Sequence, residues 1–169
     1  MDSFIVAGLP AHVLIVHLAV VAVPVLALAL VVAAAWPAAR RVLWTPLLVL
    51  AALSVALVAV AQEAGEWLEE RVPEAPLIEQ HADLGETVLP WTIGLAAVTA
   101  MVAIWDRVEQ VGSRRGGAPA RGVRVTMGIV LTVLALVAGT GATVATVLAG
   151  DSGARAVWEG SFSETPLDD

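Results

Sequence analysis

The chain has no cysteine, no lysine and little charge of either sign. Without cysteine there is no disulfide, no thiolate nucleophile, no Cys-ligated iron–sulfur cluster and no c-type haem attachment. Without lysine, all nine basic residues are arginine. Charged residues are 15% of the 169, against roughly 25% in a soluble domain. No basic patch stands outside two short connections, which disfavours nucleic-acid binding. No glycine loop of the kind that cradles phosphate is present. Gly150-Asp-Ser-Gly153 has the look of a nucleophilic serine motif, but it closes an apolar run and lacks a strand–turn–helix setting. No residue is assigned as catalytic, and an enzyme is the less favoured class.

What the chain has in abundance is apolar length: 59% hydrophobic residues and a mean hydropathy of +0.85. The organising stretch runs from Ala11 to Pro37, and between His17 and Trp36 it holds no ionisable residue. At about 1.5 Å per residue it is long enough to cross a hydrocarbon core of about 30 Å. Four such runs occur, at about 9–36, 42–62, 84–105 and 123–150. The first reads as a span and not as a cleaved signal peptide, because MDSFIVAG carries no positive charge and the apolar run exceeds a signal h-region. The expected fold is all-α: a polytopic four-helix membrane bundle, up-down-up-down, occupying residues 1–158, with a loose acidic tail over 159–169.

Arginine placement orients that bundle. The connections Trp36–Arg41 and Asp106–Arg124 carry seven arginines against two acids, Asp106 and Glu109. The other side carries fourteen acids and two arginines, Arg71 and Arg155. The positive-inside rule then puts both arginine connections in the cytoplasm and both termini outside. The expected location is the bacterial cytoplasmic (inner) membrane, with the lipid bilayer as the first partner. Trp36, Trp44 and Trp105 fall at the inner interface and Trp67 and Trp158 at the outer one, as an aromatic belt does. Pro76 suits the first turn of the third helix. Pro90 should kink that helix, and Pro24 the first.

The two halves of the chain share a template. At an offset of 69, His12 falls on His81, His17 on Glu86 and Trp36 on Trp105. The second and fourth runs end alike, Ala61-Gln-Glu63-Ala-Gly65 against Ala149-Gly-Asp151-Ser-Gly153. The pattern implies two tandem helical hairpins related by a pseudo-twofold along the membrane normal. Depth counting adds to it. His17, Glu63 and Glu86 stand at equal separations along the chain from the inner tryptophans Trp36, Trp44 and Trp105. His12 and His81 stand at equal and somewhat larger separations from Trp36 and Trp105. These counts predict two polar layers near the outer face.

Ionisable groups at membrane depth cost about 2.5 kcal/mol or more and normally face a partner inside the bundle. Three functional readings follow. A haem b could sit between imidazoles of the first and third helices, with His12 opposite His81 and His17 as a further candidate ligand. A mono- or dinuclear transition-metal site could use His17, Glu63, Glu86 and Asp151 with one of the mouth histidines, His12 or His81. A proton- or ion-coupled carrier could pass its cargo along the same groups. Against all three stands a cofactor-free structural or accessory subunit, in which the cluster only fixes helix register. Helical geometry sets His12 and His17 about 140° apart, so the two cannot chelate one ion. Gly139, Gly141, Ala142 and Ala145 give the fourth helix a small-residue face, suited to packing within the bundle or to a homodimer seam. A redox function would also call for a membrane redox partner.

Three stretches carry a resemblance: Gly8-Leu-Pro-Ala-His12-Val-Leu-Ile-Val-His17, Gln80-His81-Ala-Asp-Leu-Gly85 and Gly150-Asp-Ser-Gly-Ala-Arg-Ala-Val-Trp158. Over most of its length the chain resembles the bacterial membrane-protein family catalogued as domain of unknown function 2231. The resemblance implies a four-span inner-membrane protein and supplies no activity. Some members of that family have histidine where this chain has Asp151. Aspartate can ligate a hard metal or take a proton, but it is a poor haem ligand.

Overall fold

A backbone surrounded by lipid must satisfy its own hydrogen bonds, and for apolar segments of this length the helix is the way to do so. The computed structural model, which describes residues 4–163, bears this out. After a short hairpin of β1 (Ile5–Val6) and β2 (Leu9–Pro10) come α1 (Ala11–Ala35), α2 (Pro37–Glu69), α3 (Pro76–Glu86), α4 (Val88–Arg114) and α5 (Arg121–Trp158). Four helical segments are long and apolar enough to cross a membrane: α1, α2, the α3–α4 unit and α5. That marks a multi-pass membrane protein.

The helices outrun the apolar runs that announced them. α2 extends to Glu69 where its apolar run stops near Gln62, α4 continues through Asp106 and Glu109 to Arg114, and α5 reaches Trp158. Hydropathy finds only the apolar part of a helix, whereas the backbone ladder continues into the headgroup and water layers. The expected Trp36–Arg41 connection shrinks to Trp36 alone. Pro37 takes the first position of α2, where its missing N–H costs nothing. Pro76 opens α3 in the same way. Pro24 lies within an unbroken α1. Near Pro90 the chain breaks instead of bending smoothly. Pro90 cannot donate to Glu86, α3 ends at Glu86, and the Thr87 hydroxyl donates to the Leu84 carbonyl at 2.7 Å before α4 begins. Of the expected tail, Glu159 and Gly160 turn away from α5, and residues 164–169 lie outside the described residues.

α1 packs against α2 and α5, α4 packs against the same two helices, and α3 rests on α5. The core between them holds Val23, Leu26, Leu30, Leu95, Val102 and Leu131, all essentially inaccessible. Small residues bring the backbones together. A methyl on Gly139 would approach Ala27 to 3.1 Å, and one on Gly141 would overlap the Trp91 ring. The small face of α5 is thus engaged within the bundle. The outer surface is apolar instead: Leu28, Val42, Ile104 and Ile129 are each more than 60% exposed. Water would penalise that surface, whereas lipid does not. Buried hydroxyls of Thr92, Thr99 and Thr146 donate to carbonyls one turn back in their own helices, so they ask nothing of their neighbours.

Candidate functional site

Two polar clusters lie at opposite ends of the bundle. The first is built on His12, in the first turn of α1, and His81, midway along α3. His12 Nδ1 lies 2.8 Å from the Ala61 carbonyl of α2. His81 Nδ1 lies 3.0 Å from the Ala149 carbonyl and 3.1 Å from Ser152 Oγ, both on α5. A carbonyl oxygen can only accept. Each Nδ1 must therefore carry a proton, and in the neutral form of either ring Nε2 is the lone pair. Neither Nε2 has a hydrogen-bond partner among the described residues. The two ring centroids are 5.9 Å apart, with the planes at 80°.

Glycine makes room for this arrangement. A Cβ on Gly65 would come within 3.0 Å of His12, and one on Gly153 within 2.8 Å of His81. The parallel extends to the carbonyl and the glycine that each ring meets. The offset that carries His12 onto His81 is that of the repeat, and a second common offset carries both Ala61 onto Ala149 and Gly65 onto Gly153. Ser152 breaks the likeness: its counterpart on α2 is Ala64, which has no hydroxyl. The Ser152 hydroxyl donates to the Ala149 carbonyl at 2.9 Å and gives the His81 N–H a second acceptor. The N-terminal hairpin is tied to the same end of the bundle, with the Ala11 N–H donating to the Phe4 carbonyl and the Phe4 ring 6.1 Å from that of Trp67. The Gln62 amide also donates to the Gly85 carbonyl at 2.9 Å, tying α2 to α3.

The expected metal centre of His17, Glu63, Glu86 and Asp151 does not form. All four are exposed. His17 Nδ1 donates to the Val13 carbonyl of its own helix, and Asp151 pairs with Arg155 one turn on. Among the described residues, no three His, Asp or Glu side chains make a group that could hold a metal ion. Helical phase is the reason. Glu63 and Asp151 follow the carbonyls of Ala61 and Ala149 by two residues, about 200° around the helix. His17 and Glu86 follow His12 and His81 by five, about 140°. Once the two histidines turn inward, the other four must turn out. His17 is therefore withdrawn from the haem ligands as well.

The second cluster lies at the arginine end and was not anticipated. Arg40 and Asp106, which the sequence assigns to solvated connections, are only 2% and 1% exposed. The Arg40 guanidinium pairs with Glu109, and its Nε is 3.7 Å from Asp106 Oδ1. Asp106 in turn accepts from the Gln110 amide. Arg40 and Glu109 are related by the same offset as His12 and His81. That offset was the available signal, because it pairs a cation with an anion. Nearby, the Arg107 guanidinium stacks on Trp44 at 4.1 Å.

Comparison with protein-family models, with curated proteins and with solved structures finds no match.

Proposed function

We propose that this is a multi-pass protein of the bacterial cytoplasmic membrane whose histidine end holds one transition-metal ion between His12 and His81. The ion is held either bare or as the iron of a haem b, in a redox role. The observation that carries the reading is the pair of rings itself. Each Nδ1–H is fixed on a backbone carbonyl, both Nε2 atoms are unpartnered, and the centroids lie 5.9 Å apart. Metal-bound histidines characteristically donate their other N–H to a carbonyl or carboxylate, which fixes the tautomer and the ring. With metal–nitrogen bonds of about 2.0–2.1 Å on each side, two imidazoles facing one ion have centroids about 6 Å apart. An iron or copper ion there would supply one-electron transfer, whereas zinc, which has no redox chemistry, would make the site structural. The protein's own part is to fix both rings, and with them both lone pairs, through the Nδ1 contacts to the Ala61 and Ala149 carbonyls.

The bundle around the pair is an up-down-up-down arrangement of two hairpins, related by a pseudo-twofold, with both termini outside. Supporting it, His12 at the start of α1 lies beside Ala61 toward the end of α2, and His81 in the middle of α3 beside Ala149 toward the end of α5. The arginine balance supports the sidedness. The three stretches resembling domain of unknown function 2231 supply His12, His81 and Ser152–Gly153, which gives that family's pattern a common meeting place.

A cofactor-free accessory subunit is the second reading. Each Nδ1 bond crosses from one helix to another and would staple the bundle without any ion. An optical spectrum with metal analysis of the detergent-purified protein separates the two. A Soret band identifies haem, and stoichiometric iron, copper or zinc without one identifies a bare ion. In either case His12→Gln and His81→Gln, whose amides can still donate to the carbonyls, should empty the site. A colourless, metal-free protein that takes up neither haem nor metal would leave only the accessory role.

A further inference from the structure

At the arginine end a cavity of about 620 Å³ opens between the α1–α2 turn and the start of α5. Arg40, Arg41, Arg121 and Arg124 line it against a single carboxylate, Glu109, which Arg40 already engages. Arg41, Arg121 and Arg124 have no ion-pair partner among the described residues. The first turns of α2 and α5 both border the cavity, and neither has a side-chain cap or an acid in that turn. The N–H groups of those first turns add positive potential to a cavity that these exposed arginines line. Three like charges beside two bare helix starts favour an anion. The lining then changes character along α5, through Gly128 to Ile129 and Val133, apolar side chains that are themselves more than half exposed. A Cβ at Gly128 would meet nothing within 4 Å, so this position opens onto the cavity.

We infer that this cavity binds the phosphate headgroup of an anionic membrane lipid, with an acyl chain lying along the exposed face of α5. The apolar continuation favours a lipid over a free phosphate, which would use only the polar mouth. Basic pockets between helices at a membrane surface recognise such headgroups by this combination. The inference is independent of the histidine site.

The full chain, purified in a neutral detergent, is titrated with dioctanoyl phosphatidylglycerol, dioctanoyl phosphatidylcholine and inorganic phosphate, and bound molecules are counted by native mass spectrometry. Phosphatidylglycerol should bind at one per chain, with phosphatidylcholine and phosphate each weaker by about tenfold or more. The double variant Arg121→Gln with Arg124→Gln should lose about thirtyfold in phosphatidylglycerol affinity. Gly128→Phe keeps every charge but fills the cavity, and should lose a comparable factor. Circular dichroism verifies that each variant is folded. Equal binding of the two lipids, phosphate binding as tight as phosphatidylglycerol, or affinity indifferent to both variants would overturn the inference.

Discussion

The two ends of the bundle use the same repeat offset to opposite effect. At one end it brings like to like: His12 meets His81, and each ring spends one nitrogen on a neighbouring backbone while the other stays free. At the other it brings unlike charges together: Arg40 meets Glu109, with Asp106 and Gln110 closing the cluster. Opposite charges satisfy one another, and burial makes their loss expensive. Two imidazoles that each spend Nδ1 on a carbonyl do not satisfy one another, and neither Nε2 has a partner among the described residues. The arginine cluster is a lock, and in the function proposed above the histidine pair is a receptor.

Stability measurements should separate lock from receptor. Arg40→Ala leaves Asp106 buried without its cation, and should cost about 3–5 kcal/mol, read as a large fall in melting temperature in detergent. If adding Asp106→Asn to Arg40→Ala restores much of the loss, the uncompensated buried charge is the cause; if it restores nothing, Arg40 acts through shape. Gly153→Ala places a methyl against the His81 ring and should cost about 1–3 kcal/mol through overpacking. It should also weaken metal or haem uptake about 10–100-fold, as changes around a ligating histidine do. Gly65→Ala should do less on both counts, since its methyl would sit 3.0 Å from His12, against 2.8 Å at the Gly153 position. His12→Gln or His81→Gln should cost only about 1 kcal/mol while abolishing uptake. That is the reverse of the Arg40 pattern. Smallest of all, Glu63→Gln, Glu86→Gln and Asp151→Asn should stay within about 0.5 kcal/mol and leave uptake unchanged. Loss of uptake in any of these three would return the carboxylates to the site.

The spans were legible because an uninterrupted apolar run has one favourable solvent, and the repeat was legible because His12, His81 and the two Gly-ended segments recur in order. Half of the site followed from that repeat. The error over His17, Glu63, Glu86 and Asp151 came from counting depth without angle. Residues level along the axis can still face opposite ways, and the turn of the helix that parts His12 from His17 applies equally to the carboxylates. Gly65 and Gly153 held the missing information. A bare position one turn after Ala61 or Ala149 marks the face where a ring must fit. The arginine cluster escaped because positive-inside counting treats every arginine as solvated. Arg40, in the first turn of α2, is instead directed inward by its helix onto an acid of α4 that the same counting had placed in a loop.

The central claim is that both imidazoles hold the proton on Nδ1 and offer Nε2 to a metal. Nitrogen-15 spectra of the histidine-labelled protein in detergent micelles report both nitrogens of each ring directly. His12 and His81 should each show a protonated Nδ1 and a bare Nε2, and the Nε2 signals of both should respond together when haem or a metal ion is added. A proton on Nε2 of either ring, or Nε2 signals unmoved by haem, copper, iron and zinc alike, would contradict the account.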